Sequence, residues 1–402
     1  MTHETVLVNG ARTPFGKYGG ALRGVPSVEL GAAAMRSAMR AAGIRPADVD
    51  EVVYGVTIPA EEALDGSIPA RVAMLKAGIP EERLSLTIDR ACCSGLTAVQ
   101  LARRAIAAGE AEIVLAGGSD NMMRAPMLLS PDVRWGVKRG APSIKDPMHE
   151  PGADIGGKPI AVDAGEVAME HGITREMSDD WAMRSHARYF EAFDVGFYDD
   201  EVVAFEVPNG AAGHLVEHDE GPRRDSSREK LASLGTVYGG PIVTPGNAPG
   251  QNAGACFVVV ASAAAAERLG LDPLGRIPSV ASIARAPREI AVAPAPAIVK
   301  ALQPAGWDID SIDLIEINEA FACVPLTSAR VLADGDADRE QSIIKRLNVN
   351  GGSVAIGHPA GATGARLLLT MARELRRRGG GRGVVAICGG LGQGDAATIE
   401  VG

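Results

Sequence analysis

The sequence predicts an α/β fold assembled from two copies of one unit. Two observations carry that prediction. Strand-like apolar runs alternate with longer Ala/Leu/Arg stretches of helical period, the pattern of strands interleaved with helices. In addition, three segments of the N-terminal part recur in the same order near the C-terminus. Taken along the chain, Thr5–Asn9 reads as a strand, and Val28–Ala42 as a helix stopped by Gly43 with Pro46 beyond it. Glu51–Val56 reads as the next strand. Leu96–Ala108 reads as a helix closed by Gly109, and Ile113–Ala116 as a buried strand running into Gly117-Gly118.

The repetition is visible residue against residue. Ala42-Gly43 through Gly55 lines up with Ala305-Gly306 through Asn318, and Gly95-Leu-Thr-Ala-Val-Gln-Leu101 with Gly361-Ala-Thr-Gly-Ala-Arg-Leu367. Ile113-Val-Leu-Ala-Gly-Gly118 matches Val385-Ala-Ile-Cys-Gly-Gly390, and the offset drifts only from 263 to 272 residues. Three matches in one order indicate an internal duplication. The expected organisation is an N-terminal half of residues 1–121 plus 247–273, a C-terminal half of residues 274–402, and an insertion of residues 122–246. The insertion is rich in Pro, Gly and charge, with one clear helix at Asp179–Phe193, and is expected on the surface of the first half. Long insertions of this kind commonly carry binding function.

Charge and composition exclude several classes. The chain has 40 Lys+Arg against 50 Asp+Glu, a formal net charge of −10, which speaks against a nucleic-acid partner because phosphate binding needs a basic face. The longest apolar stretch, Ala253 to Ala266, is shorter than the roughly 18 residues of a membrane span. The chain enters its first strand at Thr5 without a basic leader, ends in Ile399-Glu-Val-Gly402, and scatters five cysteines without a disulfide or metal-site spacing. The expectation is a reduced, cytoplasmic protein with no bound metal.

Two corners can carry chemistry. Cys92, in Arg90-Ala-Cys-Cys-Ser-Gly95, stands immediately before a predicted helix, where the dipole favours thiolate and small neighbours let a carbonyl approach backbone N–H groups. A lone Cys there also fits as a small core residue. His358, in Gly357-His-Pro359, occupies the position of Cys92 in the repeat alignment. If the halves pack by pseudo-twofold symmetry, a thiol and an imidazole face each other, an arrangement suited to nucleophilic catalysis. Cys388 ends the last strand beside Gly389 and Gly390. Asn318 follows the strand Leu314–Ile317, where it can cap a helix or orient a water.

Taken together, these segments resemble the thiolase family, enzymes that make or cleave 3-oxoacyl-CoA. The resemblance runs nearly end to end: Ala11-Arg-Thr-Pro-Phe-Gly16, Cys92-Cys-Ser-Gly-Leu96, Ala116-Gly-Gly-Ser-Asp-Asn-Met122, Gly246-Asn-Ala-Pro-Gly250, Asn318-Glu-Ala-Phe-Ala322, Gly357-His-Pro359 and Cys388-Gly-Gly390. It implies the duplicated five-layered α/β/α/β/α thiolase fold. It also implies that Cys92 accepts the acyl group, that His358 activates the thiol, and that Cys388 exchanges the α-proton of the second acyl-CoA. Asn318 would hold a water that stabilises the enolate oxygen with His358, and the backbone N–H groups of Cys92 and Gly390 would form the other oxyanion hole. CoA is then substrate and product, no further cofactor is needed, and a homodimer or homotetramer is expected.

For CoA binding the resemblance implies Arg223, Tyr238, Ala320 and Phe321. Arg224, Arg228 and Lys230 share the charged 219–230 segment with Arg223, a composition that also suits a solvated loop. Several positions depart from the family pattern: Asp89 stands for Asn, Ala164-Gly-Glu166 for Ala-Glu-Asn, Pro249 for Ser and Pro159 for His. A carboxylate at Asp89 opposes thiolate formation at Cys92. The activity implied is condensation of two acetyl-CoA to acetoacetyl-CoA and its reversal. The alternatives are degradative thiolysis of longer chains and a silent acyl-CoA-binding or lipid-transfer paralogue.

Overall fold

Residues 4–148, 158–207 and 214–402 are described by a computed structural model. Nine strands form one mixed sheet: β1 (Thr5–Arg12), β2 (Glu51–Gly55), β3 (Leu84–Ile88), β4 (Ile113–Asn121), β5 (Ala253–Ser262), β6 (Gly275–Ala284), β7 (Leu314–Ile317), β8 (Gly381–Gly389) and β9 (Gln393–Val401). Their spatial order is β7-β8-β9-β6-β1-β5-β4-β2-β3. The sheet is two half-sheets joined at one narrow seam, since β1 and β6 pair only at Val6–Arg276 and Leu7–Gly275.

Each half repeats one pairing scheme. From β1 outward the neighbours are antiparallel β5, antiparallel β4, parallel β2 and parallel β3. From β6 outward they are antiparallel β9, antiparallel β8 and parallel β7, followed by a parallel bridge from Ile315 to Leu347. The internal duplication legible in the sequence is therefore a duplication of topology.

Helices fill the layers. Helix α1 (Ser27–Ala42) covers the outer face of the first half-sheet. Helices α2 (Ser94–Ala108) and α7 (Ala360–Arg377) lie between the half-sheets, and α5 (Pro294–Ala305) and α6 (Cys323–Ala333) cover the second. Strand alternation feeds these layers. Ile113 and Leu115 of β4 join the α1 core, whereas Val114 and Ala116 join the inner one. On β8, Val385 and Ile387 face the inner core, while Val384, Ala386 and Cys388 face the α5 side. Gly43 and Gly109 close α1 and α2 in the left-handed conformation, as expected of glycine there.

Strand β4 runs to Asn121, past the Ala116 end predicted from sequence, because Gly117 and Gly118 continue it where a side chain could not. A Cβ on Gly118 would meet the Gly361 carbonyl at 2.5 Å.

The insertion departs from expectation. It does not rest on the first half alone. Its helices α3 (Ile160–Glu170) and α4 (Arg175–Asp194) pack Ala164, Val167, Trp181 and Ala182 into the hydrophobic core around α5 and α6 of the second half. On the other side, fully buried Arg12 of β1 pairs with Glu201 at 2.5 Å and Asp219 at 2.6 Å. Removing one member of such a buried pair typically costs about 3–5 kcal/mol. The insertion straddles both halves because its apolar face and its acidic residues find separate partners.

Candidate active site

Cys92 sits on a tight turn between β3 and α2. Ala91 adopts φ of 50°, an uncommon value for a residue with a Cβ, and the turn is closed by Cys93 N–H to Arg90 O at 3.2 Å and Ser94 N–H to Ala91 O at 2.9 Å. The turn is anchored by Arg90, whose guanidinium reaches Asp395 of β9 at 2.8 Å. Cys92 is half-buried. Its thiol is pushed up to about 12, by burial first and next by the charge of Asp120, while the backbone N–H groups of Cys92 and Gly390 act in the opposite direction. Those two N–H groups thus lie near the sulfur. Asp89 contributes least: its exposed carboxyl accepts the Ala91 N–H at 2.8 Å and braces the turn.

His358 stands at the matching corner, before α7. The two helix starts touch backbone to backbone, since a Cβ on Gly95 would meet the Gly361 carbonyl at 2.6 Å. The imidazole is buried, and burial first, then Arg366, holds it down at about 3, so it is neutral at neutral pH. Its Nδ1 contacts Thr363 Oγ1 at 2.7 Å and its Nε2 faces Asn318 Nδ2 at 3.4 Å. Asn318 directly follows β7 and is held by its backbone N–H to Ala386 O at 2.9 Å and by Ser353 Oγ–H donating to its Oδ1 at 2.7 Å. Cys388, at the end of β8, is fully buried; burial raises its thiol well above the ordinary range, with a further push from Cys92. Cys92, Cys388 and the Gly390 N–H therefore lie close together, while His358 stands before the α7 start that touches α2, and Asn318 is bonded to β8.

A cavity of about 260 Å³ opens beside Gly357, lined among others by Lys17, His186, Arg223 and Asn252. Three of the four basic residues of the charged loop are engaged elsewhere: Arg224 with Asp194, Arg228 with Asp180 at 2.5 Å, and Lys230 with Asp225 at 2.6 Å. Arg223 alone of the four lines the cavity, and among the described residues its guanidinium has no ion-pair partner. Tyr238 is not in this wall. It lies 46% exposed on a turn at φ of 50°. Ala320 and Phe321 pack into the core of the second half directly after the Asn318–Glu319 loop. Glu166 pairs with Lys158 at 2.7 Å, outside the cavity wall. A larger open groove of about 710 Å³, which includes Lys300 and Val331 in its walls, shares no residue with the Cys–His corner.

Several contributors carry no local sequence signal. The buried carboxyl group of Glu319 accepts Trp181 Nε1–H at 2.8 Å, Ser185 Oγ–H at 2.7 Å, Asn348 Nδ2–H at 3.0 Å and Val354 N–H at 3.0 Å. It ties insertion helix α4 to the loop that bears His358. Asn252 receives the His358 N–H at 2.8 Å and donates to Gly16 O at 2.9 Å, spacing the two segments around the cavity. Buried Asp120 accepts Gly361 N–H at 2.6 Å and Thr57 N–H at 2.9 Å, holding the start of α7 to the first half. No group of three or more His, Cys, Asp and Glu among the described residues is placed to hold a metal ion. No described helix is long and apolar enough to cross a membrane.

Known proteins are similar to this chain over their whole length. Residues 5–264 match the thiolase N-terminal domain and residues 271–401 the thiolase C-terminal domain. The chain belongs to the thiolase family. It is 40% identical to an acetyl-CoA acetyltransferase of Syntrophomonas wolfei subsp. wolfei, with 100% of both chains covered. It is 38% identical to a β-ketoadipyl-CoA thiolase of Pseudomonas aeruginosa, again covering 100% of each. Human mitochondrial 3-ketoacyl-CoA thiolase in complex with CoA superposes with a TM-score of 0.90 at 36% identity, covering 100% of this chain and 98% of that one. As a thiolase, the chain is an acyltransferase with the duplicated layered fold of that family.

Proposed function

We propose that this thiolase condenses two acetyl-CoA molecules to acetoacetyl-CoA and CoA, and runs the reverse thiolysis, through an acyl-cysteine on Cys92. The reading is supported by two thiols and a backbone N–H close together, with His358 before the helix start that touches α2 beside Cys92. His358 Nε2 takes the Cys92 proton as the sulfur attacks the thioester carbonyl. The backbone N–H groups of Cys92 and Gly390 receive the carbonyl oxygen of the resulting acyl-enzyme. The leaving CoA thiolate takes the proton of Cys388.

Cys388, now a thiolate, removes the α-proton of the second acetyl-CoA. The enolate oxygen is held by protonated His358 and an Asn318-bound water, and the carbanion attacks the acyl carbonyl. Cys92 leaves as thiolate and recovers its proton from His358. Protons and electrons balance with CoA as the only carrier, so no metal or redox group enters this scheme. With Cys92 near 12 and His358 near 3, the resting pair is neutral, and proton transfer accompanies attack.

Arg223 is the residue we assign to the CoA nucleotide, supported by its place in the cavity wall, where among the described residues its guanidinium has no ion-pair partner. Tyr238, Ala320 and Phe321 remain assignments by family position. A homodimer formed through edge strand β3 is supported by its exposed Leu84 and Leu86, and assembly of two such dimers would give a tetramer. The net charge of −10 and the reduced-thiol chemistry fit a cytoplasmic setting.

The near-equal identity to a β-ketoadipyl-CoA thiolase favours, as the second reading, longer or dicarboxylic 3-oxoacyl chains. Thiolysis rates across 3-oxoacyl-CoA chain lengths separate the two. A maximum of kcat/KM at acetoacetyl-CoA supports the first, and a maximum at longer chains replaces it with the second.

A further inference from the structure

Arg366 lies wholly buried in α7, eight residues after His358, and a guanidinium only donates hydrogen bonds. Its Nη1 meets Glu316 at 3.1 Å and its Nη2 donates to Ser353 Oγ at 3.2 Å. Ser353 therefore presents a lone pair to Arg366, and its single proton goes to Asn318 Oδ1, 2.7 Å away. With its oxygen so engaged, Asn318 turns Nδ2 toward His358 Nε2 at 3.4 Å. An amide nitrogen also only donates, so Nε2 is the bare, accepting nitrogen. The ring proton then resides on Nδ1, which donates to Thr363 Oγ1 at 2.7 Å, and Thr363 donates in turn to Pro359 O at 2.8 Å.

The reverse polarity fails at its first link. With Nε2 protonated, Asn318 would have to present Oδ1 to it and Nδ2 to Ser353. The Ser353 hydroxyl would then face two donors, and its own proton would lose the acceptor that Asn318 Oδ1 gives it. The fixed charge of Arg366 thus sets the direction of a chain that reaches the ring at both nitrogens.

We propose that the buried chain Arg366–Ser353–Asn318–His358–Thr363 locks His358 in the tautomer whose Nε2 is the free base, which makes Ser353 and Thr363 positioning residues for acyl transfer. The contribution to catalysis rests on the reading that His358 deprotonates Cys92. The tautomer itself does not. Removing the second partner that orients a metal-ligating imidazole typically costs about 10–100-fold in affinity or activity, and a loss of that order is expected for this catalytic imidazole.

The test uses the full chain labelled with ¹⁵N-histidine, the His358 signals being assigned by their disappearance in His358→Asn. Two-bond ¹H–¹⁵N correlation then reports which ring nitrogen bears the proton. The expected result at pH 7 is a protonated Nδ1 and a bare Nε2. Thr363→Val should give a mixed tautomer and slow Cys92 acylation by about 10–100-fold, and Thr363→Ser should restore both. Ser353→Ala, which frees the Asn318 amide to turn, should also mix the tautomers, and decides the matter if Thr363→Val does not fold.

A protonated Nε2 in the unmodified chain overturns the proposal. So does a slow Thr363→Val enzyme whose tautomer is unchanged, since the hydroxyl would then serve packing alone. Absence of any acyl transfer in the unmodified chain would instead refute the functional reading, and the tautomer would still be measured.

Discussion

Replacing Asp120 by Asn removes the buried carboxyl whose charge, after burial itself, does most to raise the Cys92 thiol. At pH 8 a thiol near 12 is ionised in about one molecule in 10⁴. Relieving one nearby like charge is expected to raise that fraction about tenfold. The sulfur also becomes a weaker nucleophile as it becomes more acidic, by about threefold, so alkylation should quicken by only about threefold. The pH dependence is the sharper signature. Asp120 is itself pushed up to about 7 by burial, so it is largely neutral at pH 6 and charged at pH 8.5. The ratio of iodoacetamide rates at Cys92, variant over unmodified chain, should therefore lie near one at pH 6 and rise toward three at pH 8.5. Peptide mass spectrometry assigns the alkylated residue. Asn retains an acceptor for the Thr57 N–H but turns an amide toward the Gly361 N–H, so a modest drop in thermal stability is expected. A ratio that is flat with pH, or below one at pH 8.5, refutes the electrostatic argument.

Three further outcomes are expected. Cys388→Ser should still acylate Cys92 but lose condensation, seen as an adduct by mass spectrometry without acetoacetyl-CoA formation; normal condensation would refute the division of labour between the thiols. Glu319→Gln leaves a buried amide among donors that now lack an acceptor, and should lower unfolding free energy by about 2–3 kcal/mol in urea titrations. An unchanged midpoint would deny its tying role. The third concerns acid. His358 has a depressed folded value of about 3, so the stability tied to its neutral form is present above the ordinary 6.5 and is lost as pH falls toward 3. The stability difference between the unmodified chain and His358→Asn should shift by about 3 kcal/mol against the unmodified chain between pH 7 and 4, and a constant difference would contradict a buried neutral imidazole.

The sequence carried much of this architecture because its signals are local. Helix stops at Gly43 and Gly109, the strand Leu314–Ile317 and the equivalence of Cys92 with His358 all lie within short, repeated segments. Other features depend on residues that meet only in three dimensions. Nothing near Glu319 announces that Trp181 and Ser185 will donate to it across more than 130 residues of chain. Arg12 gives no local hint of Glu201 and Asp219, and nothing beside Trp181 announces its packing into the core of the second half, the contact that sets the insertion across both halves. β4 continues past Ala116 because Gly117 and Gly118, residues that in sequence resemble a turn, are strand residues packed against neighbouring backbone. Asp89 is near Cys92 in sequence, yet Asp120, distant in sequence and buried, weighs more on the nucleophile.

The acyl-cysteine is the central claim, and intact and peptide mass spectrometry after brief exposure to acetyl-CoA tests it directly. The account predicts one acetyl group, carried on Cys92 and absent from Cys92→Ala. Binding of CoA without an adduct on any cysteine, or an adduct on Cys388 in place of Cys92, would contradict it.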